Sequence, residues 1–345
     1  MTQALTIGRE VTLRHHPRDM IGPDDLAIVS RAVPPLRAGE LLVRNRWFRI
    51  SISTRLMADP GAQVVEGIPF PPLHPGDTLA DGAIGEVVAS APDSAIAVGS
   101  LVLHPYGWRD WAVVAASQCT SIPAPDDAAA FEPAVYLGHG WTAYAALTHG
   151  TQVRAGDTVF VTSGAGAIGA MAGQIARRLG ATRIVGSTGS ADKAEWMTAE
   201  LGYDAVVRRD RGDLAAQLAS AAPDGVDLVV DMIGGDQLAV AAAQTRTGAR
   251  LVLLGALGAE LDATRATLAA PVLLDSFQLI LRDVTIRGYS ACADEAAGGF
   301  ADWLRWQAGA ALHHAVSRVE GLDQAPAALH DACAGRLRGV VIVAL

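Results

Sequence analysis

Apolar and polar positions along the chain follow two rhythms, and the change between them falls near residue 130. In the first part, short runs of period two broken by Gly and Pro read as half-buried strands. The clearest are "ELLVRNRWFRIS", "GAIGEVVAS", "GSLVLHP" and "WAVVAA". This pattern predicts an antiparallel β domain. After "SIPAPDDAAAFEPAVYLG" apolar strands alternate with alanine-rich amphipathic helices, the signature of parallel βαβ units. The predicted strands are "TVFVTS", "RIVGS", "DAVVR", "VDLVVD", "RLVLLG" and "VTIRGY", a full doubly wound set. Helices are expected over Ala167 to Leu179, Asp192 to Leu201, Leu214 to Ala221 and Gln237 to Gln244. Beyond Tyr289 the pattern gives a helix around Phe300 to Ala310, the strand "AVSRV", a helix near Gln324 to Ala334 and the strand "GVVIVAL". This tail is expected to return to the first domain.

A length of 345 residues favours two cores over one, and a half-hydrophobic composition supports folded domains. No apolar run approaches a membrane span, and the opening "MTQALTIGREVTLRHH" lacks a signal-peptide pattern, so a cytoplasmic protein is expected. Cys119, Cys292 and Cys333 are too scattered for a disulfide framework. A net charge of −9 without a basic stripe argues against nucleic acid as a partner. A small-molecule substrate is the expectation.

The sharpest motif is "VFVTSGAGAIGAMAGQIARRLG", where Gly164, Gly166 and Gly169 form a GxGxxG between a strand and a helix. Side-chain-free positions let the backbone approach a pyrophosphate, and the helix N-terminus stabilises its charge. An NAD site needs a carboxylate about 20 residues on. Here that stretch reads Ile184, Val185, Gly186, Ser187 and Thr188, none acidic. Lys193, the one lysine of the chain, follows, and Arg208 and Arg209 close the next strand. These cations suit the 2′-phosphate of NADPH. Each alone could be a solvated surface charge, but that would not explain the missing carboxylate.

Metal catalysis of alcohol oxidation needs Cys and His ligands around an open zinc position. Cys119 has no partner nearby in sequence, and His74, His104 and His139 show no ligand spacing, so no metal is expected. Without a Lewis acid, hydride donation to an already activated acceptor is the natural reaction, and an enone or a quinone qualifies.

Taken together, "GELLVRNRWF", "DGAIGEVVAS", "GWRDWAVV", "WTAYAAL", "SGAGAIGAMAGQIARRLG", "GSADKAEWMTAELGYDAVV", "DMIGG", "VTIRGY" and "GLDQAPAAL" resemble, in order, the zinc-independent medium-chain dehydrogenase/reductases. The resembling subgroup contains the prostaglandin reductases, leukotriene B4 dehydrogenase and the bacterial curcumin reductases. The resemblance implies an α/β fold with two parts. Residues 1–130 and 291–345 would form a GroES-like substrate domain, and 131–290 a Rossmann NADPH-binding domain. It also implies a homodimer and enal, enone or oxo-prostaglandin-like substrates. Carried over, it sets Ala167, Ile168 and Gly169 at the pyrophosphate and Lys193 at the 2′-phosphate. Gly255, Ala256 and Tyr289 fall around the ribose and nicotinamide, with Thr142 and Ser187 as further cofactor positions and Tyr106 in the substrate pocket.

Departures cluster where chemistry is expected. Where the family has Ser-Val-Asp-Pro-Tyr-Met-Arg, this chain has Arg49, Ile50, Ser51, Ile52, Ser53, Thr54 and Arg55. A family tyrosine near the substrate aligns with Glu260, two asparagines with Met232 and Leu337, and an adenine-side tyrosine with Arg209. Losing two phenols removes aromatic packing and a proton-donating hydroxyl. Ser53, Arg55, His139, Glu260 and Tyr289 are therefore expected around a different, more polar substrate. Glu260 is either a proton donor with a raised pKa or a surface carboxylate. The sequence reading is an NADPH-dependent enone or enal reductase. Quinone or C=N reduction, a biosynthetic oxidation, and a catalytically weak NADPH-binding sensor or structural protein stay open.

Overall fold

The computed structural model describes residues 6–64, 71–92, 94–123, 131–262 and 269–345. Its fifteen strands are β1 (Ile7–Leu13), β2 (Leu26–Ala32), β3 (Glu40–Ile50), β4 (Ala83–Ser90), β5 (Leu101–His104), β6 (Trp111–Ala115), β7 (Thr120–Ile122), β8 (Thr158–Val161), β9 (Arg183–Thr188), β10 (Ala205–Arg208), β11 (Val226–Asp231), β12 (Thr245–Leu253), β13 (Thr285–Gly288), β14 (Val316–Glu320) and β15 (Val340–Ala344). The expected rhythm change falls beside residues 124–130, which lie outside the described residues.

Alternation along β3 buries Leu41, Val43 and Asn45, then Phe48 and Ile50. The shift from odd to even positions coincides with a bulge between Asn45 and Trp47 in its pairing with β4. An extra residue there turns the following side chains to the other face. β3 joins a seven-stranded sheet in the order β14-β15-β3-β4-β5-β7, with β6 also on β3. The last strands of the chain thus complete the sheet begun by the first, and Val341, Val343, Leu322 and Leu329 share a core with Phe48 and Trp108. β1 and β2 form a separate antiparallel pair that the polar residues of "IGREVTL" conceal in the sequence.

The second sheet is parallel, in the order β10-β9-β8-β11-β12-β13. All six predicted strands are present. Both faces are covered, as a parallel sheet requires. Val159, Val161, Leu228, Val230 and Val252 face one core, while Phe160, Val229 and Leu251 face the other. The helix Gly299–Ala308, expected with the terminal domain, packs instead on this half: Trp303 is buried in the core with Trp141, directly over Gly140. The chain moves outward from β8 to β10 and then returns to β11, leaving a crevice beyond the strand ends between β8 and β11.

Candidate active site

A cavity of about 620 Å³ occupies that crevice and extends to the first sheet. Its floor is the turn from Ser163 to Gly169, between β8 and the helix Gly169–Arg178. A Cβ on Gly169 would lie 2.2 Å from the Ser163 carbonyl oxygen, and one on Gly164 would lie 2.4 Å from the Met197 methyl. Close packing against backbone therefore requires a glycine at 169, whereas at 164 the clash is with a flexible side-chain end. Ser163 itself has φ +52°, a left-handed conformation that costs about 1 kcal/mol for a residue with a side chain. Its amide donates to Ser187 Oγ at 3.2 Å, and Ser187 Oγ donates to Gln237 Oε1 at 2.6 Å, which holds the turn.

At one end stand Lys193 and Arg209. Lys193 Nζ donates to the Gly335 and Leu337 carbonyls at 2.5 and 2.6 Å. Burial, then Arg338 and Arg209, lower its pKa. Arg338, 5.3 Å over the Trp196 ring, is a third cation here that sequence reasoning missed. Lys193 and Arg209 line the cavity here, and Arg338 adds positive charge near Lys193 without lining it, which together suit an anion. The C-terminal turn reaches the phosphate loop directly, since the Gly339 amide donates to the Ala165 carbonyl at 2.9 Å. Arg208, the last residue of β10, does not line the cavity and pairs instead with Asp210 at 2.5 Å, while Arg209 belongs to the turn that follows.

Met232 and Gly255 line the middle of the cavity. The buried Asp231 fixes that wall, accepting from the Thr162 hydroxyl and the Gly234 amide, each at 2.8 Å. Burial raises the Asp231 pKa, and these donors oppose the shift.

At the far side Ser53 and Glu260 meet. Ser53 Oγ donates to Glu260 Oε2 at 3.1 Å. Burial raises the Glu260 pKa, and the Ser53 hydroxyl and the Ala256 amide pull it down. Arg55 is 2% exposed and does not line the cavity. Its guanidinium donates to the carbonyls of Glu260 and Asp262, clamping the segment after the helix Leu257–Glu260 onto the first sheet's half. His139 lines the same cavity, and burial followed by Arg49 lowers its pKa to about 3, so its imidazole is neutral.

Several expected positions lie elsewhere. Tyr106 bonds to Gln118 at 3.3 Å and sits under Arg109, away from the cavity. Tyr289 packs its ring on Gly150 and donates its hydroxyl to Asp294, with burial and then Asp294 raising its pKa. It cannot present that hydroxyl to the cavity while so bound. Thr142, Gly164, Ser187 and Ala256 do not line the cavity. The cavity instead adds Thr188, Ser190, Ile233, Leu257 and Leu261, which carry no sequence motif.

A family model described as the N-terminal domain of oxidoreductase matches residues 9–122, and one described as zinc-binding dehydrogenase matches residues 167–306. Prostaglandin reductase 1 of Bos taurus is 27% identical over 339 residues, covering 96% of this chain and 97% of its own. The NADPH-dependent curcumin reductase of Escherichia coli (strain K12) is 25% identical over 353 residues, covering 99% and 98%. The crystal structure of CurA from Vibrio vulnificus superposes with a TM-score of 0.83 at 25% identity, covering 98% of each chain. The chain belongs to the medium-chain dehydrogenase/reductase family. Within this medium-chain reductase, no group of three His, Cys, Asp or Glu side chains among the described residues could hold a metal ion. His104, in the first sheet, is instead committed to Asn45 at 2.9 Å.

Proposed function

We propose that this medium-chain reductase transfers hydride from NADPH to the carbon–carbon double bond of a conjugated enone or enal. The observation that carries the reading is a cavity lined by Lys193 and Arg209, the glycine phosphate loop and the Ser53–Glu260 pair. The residues fit the dinucleotide. Close packing against backbone forces Gly169 to lack a side chain, which leaves the loop backbone open to a pyrophosphate. Lys193 and Arg209 suit a 2′-phosphate, and no acidic residue lies where an NAD site would place one. The relatives named NADPH-dependent curcumin reductase and NADP(+)-dependent 2-alkenal reductase support the same cofactor, and the latter supports the acceptor class.

When bound, NADPH supplies the hydride; the chain supplies binding, orientation and a polar end. Backbone amides of Ala167 to Gly169 would hold the pyrophosphate, and Met232 and Gly255 would wall the nicotinamide region. Ser53 and Glu260 face the acceptor, with Arg55 holding the Glu260 backbone in place. The two structural parts expected from the sequence, residues 1–130 with 291–345 and residues 131–290, would meet around the substrate, with the helix Gly299–Ala308 belonging to the second part.

The test is NADPH consumption against a panel of enals, enones, quinones and simple aldehydes. Turnover concentrated in the conjugated carbonyls supports the proposal. Turnover of quinones or aldehydes alone overturns it.

A further inference from the structure

Hydride addition to the β-carbon of an enone drives an electron pair onto the carbonyl oxygen, so a hydrogen-bond donor is needed where that charge develops. Among the described residues, no phenol lines the cavity. Ser53 already donates to Glu260, and Arg55 is turned onto main-chain carbonyls.

His139 is placed for the task. It precedes the helix Gly140–Ala145 without its side chain capping it, and it lines the cavity with Ile50, Ser51 and Ile52, where the chain leaves β3. Arg49 ties these two segments together, donating to the Leu137 carbonyl at 3.1 Å and to Asp81 at 2.7 Å. Neither ring nitrogen of His139 has a hydrogen-bond partner among the described residues. Nor are they sealed in protein, as the unpaired indole nitrogens of Trp141 and Trp303 are. They are left to whatever the cavity holds.

The same surroundings fix the form of the ring. Burial and the Arg49 charge keep the imidazole neutral, with one N–H to donate and one bare nitrogen. Such a donor holds its proton while the bond it makes strengthens with the charge on the oxygen.

We propose that His139 is a catalytic residue whose imidazole N–H donates a hydrogen bond to the carbonyl oxygen of the acceptor and stabilises the enolate. The inference rests on the reductase reading above and adds the group that polarises the acceptor. The β-carbon gains the hydride as NADPH is oxidised to NADP+, and the carbon–carbon π pair shifts to form the enolate. Water then supplies a proton to the α-carbon, giving the saturated ketone. His139 is unchanged at the end.

The experiment uses the protein with NADP+ bound and benzylacetone, a saturated ketone isotope-labelled at its carbonyl, and reads the carbonyl stretch by infrared difference spectroscopy. Turnover of benzylideneacetone is measured alongside, for the wild type, His139→Phe, His139→Gln and Ser51→Ala. The bound carbonyl band should lie at lower wavenumber in the wild type than in His139→Phe. His139→Gln, which retains a neutral N–H, should recover part of the displacement. In His139→Phe, kcat/KM for the enone should fall on the order of a hundredfold to a thousandfold, the loss expected for one oxyanion donor, while KM for NADPH holds. A histidine that only packs would lower kcat/KM without moving the band. The inference is overturned by equal band positions in the wild type and His139→Phe, by a band that moves in Ser51→Ala instead, or by no ketone held beside NADP+. An unchanged kcat/KM in His139→Phe also overturns it and leaves the reductase reading standing. If the wild type reduces no enone, the reductase reading fails separately, and the band still decides whether His139 holds a carbonyl.

Discussion

Ser53 and Glu260 stand 207 positions apart in the chain and meet at 3.1 Å across the cavity, hydroxyl to carboxyl. The contact joins the segment after β3 to the segment after β12, so the two sheets contribute one side chain each to the same polar spot. Burial is the larger influence on Glu260 and favours its neutral form; the Ser53 hydroxyl favours the charged one.

The sign of the resulting pH effect follows. Glu260 has a folded pKa above its unfolded value, so the folded state binds the extra proton and this group's contribution to stability falls as pH rises from about 4.5 toward the raised value. Among the described residues, Arg55, Cys333, Asp262 and His139 are titratable groups on the elements around it. Removing the hydroxyl in Ser53→Ala takes away a donor to the ionised form. The Glu260 titration should move to still higher pH, seen as an upward shift in the midpoint of the KM–pH profile. A downward shift would show that the two side chains are not coupled as described.

Lys193→Ala should raise KM for NADPH tenfold or more, the loss of roughly 1.5–3 kcal/mol expected for a hydrogen bond to a charged group. KM for NADH should hardly change. Arg338→Ala should act in the same direction with a smaller effect, since Arg338 also rests on Trp196. Steady-state kinetics with both cofactors decides; equal losses for NADPH and NADH would move the 2′-phosphate away from this subsite.

Gly169→Ala and Gly164→Ala should differ. A new methyl at 169 meets the backbone of Ser163 and Gly164 at 2.2 and 2.7 Å, whereas at 164 the nearest atom is the flexible end of Met197. Overpacking against backbone costs about 1–3 kcal/mol. Calorimetry should therefore show a clear fall in Tm and weakened NADPH binding for Gly169→Ala, and a milder change for Gly164→Ala.

Much of this was legible in the sequence because it is local. The six parallel strands announce themselves as apolar runs, and the glycine loop is a contiguous motif at a strand–helix junction. Glu260 and Ser53 stood out as departures from a family pattern, but their contact depends on how two sheets pack. Gln237 and Arg338 gave no signal, since their roles rest on partners 50 residues away and on a turn near the C-terminus. Tyr106 and Tyr289 were misplaced for a related reason: a phenol's position in the chain does not say which way its hydroxyl points. Gln118 and Asp294 take those hydroxyls.

Arg55→Ala should lower stability by about 3 kcal/mol, because a buried side chain is removed and two carbonyls lose charge-assisted donors. It should also reduce kcat/KM for the acceptor more than KM for NADPH, since the clamp positions Glu260 and leaves the phosphate loop untouched. Chemical denaturation and kinetics on the same preparation separate the two effects. Arg55→Lys, which keeps the charge but not the fork, should recover only part of the loss.

The most direct test of the central claim is the fate of the hydride. With NADPH deuterated at the transferred position and an enone that is turned over, mass analysis should find one deuterium on the β-carbon of a saturated ketone. Deuterium on the carbinol carbon of an allylic alcohol would contradict the account, because it would make the protein a carbonyl reductase.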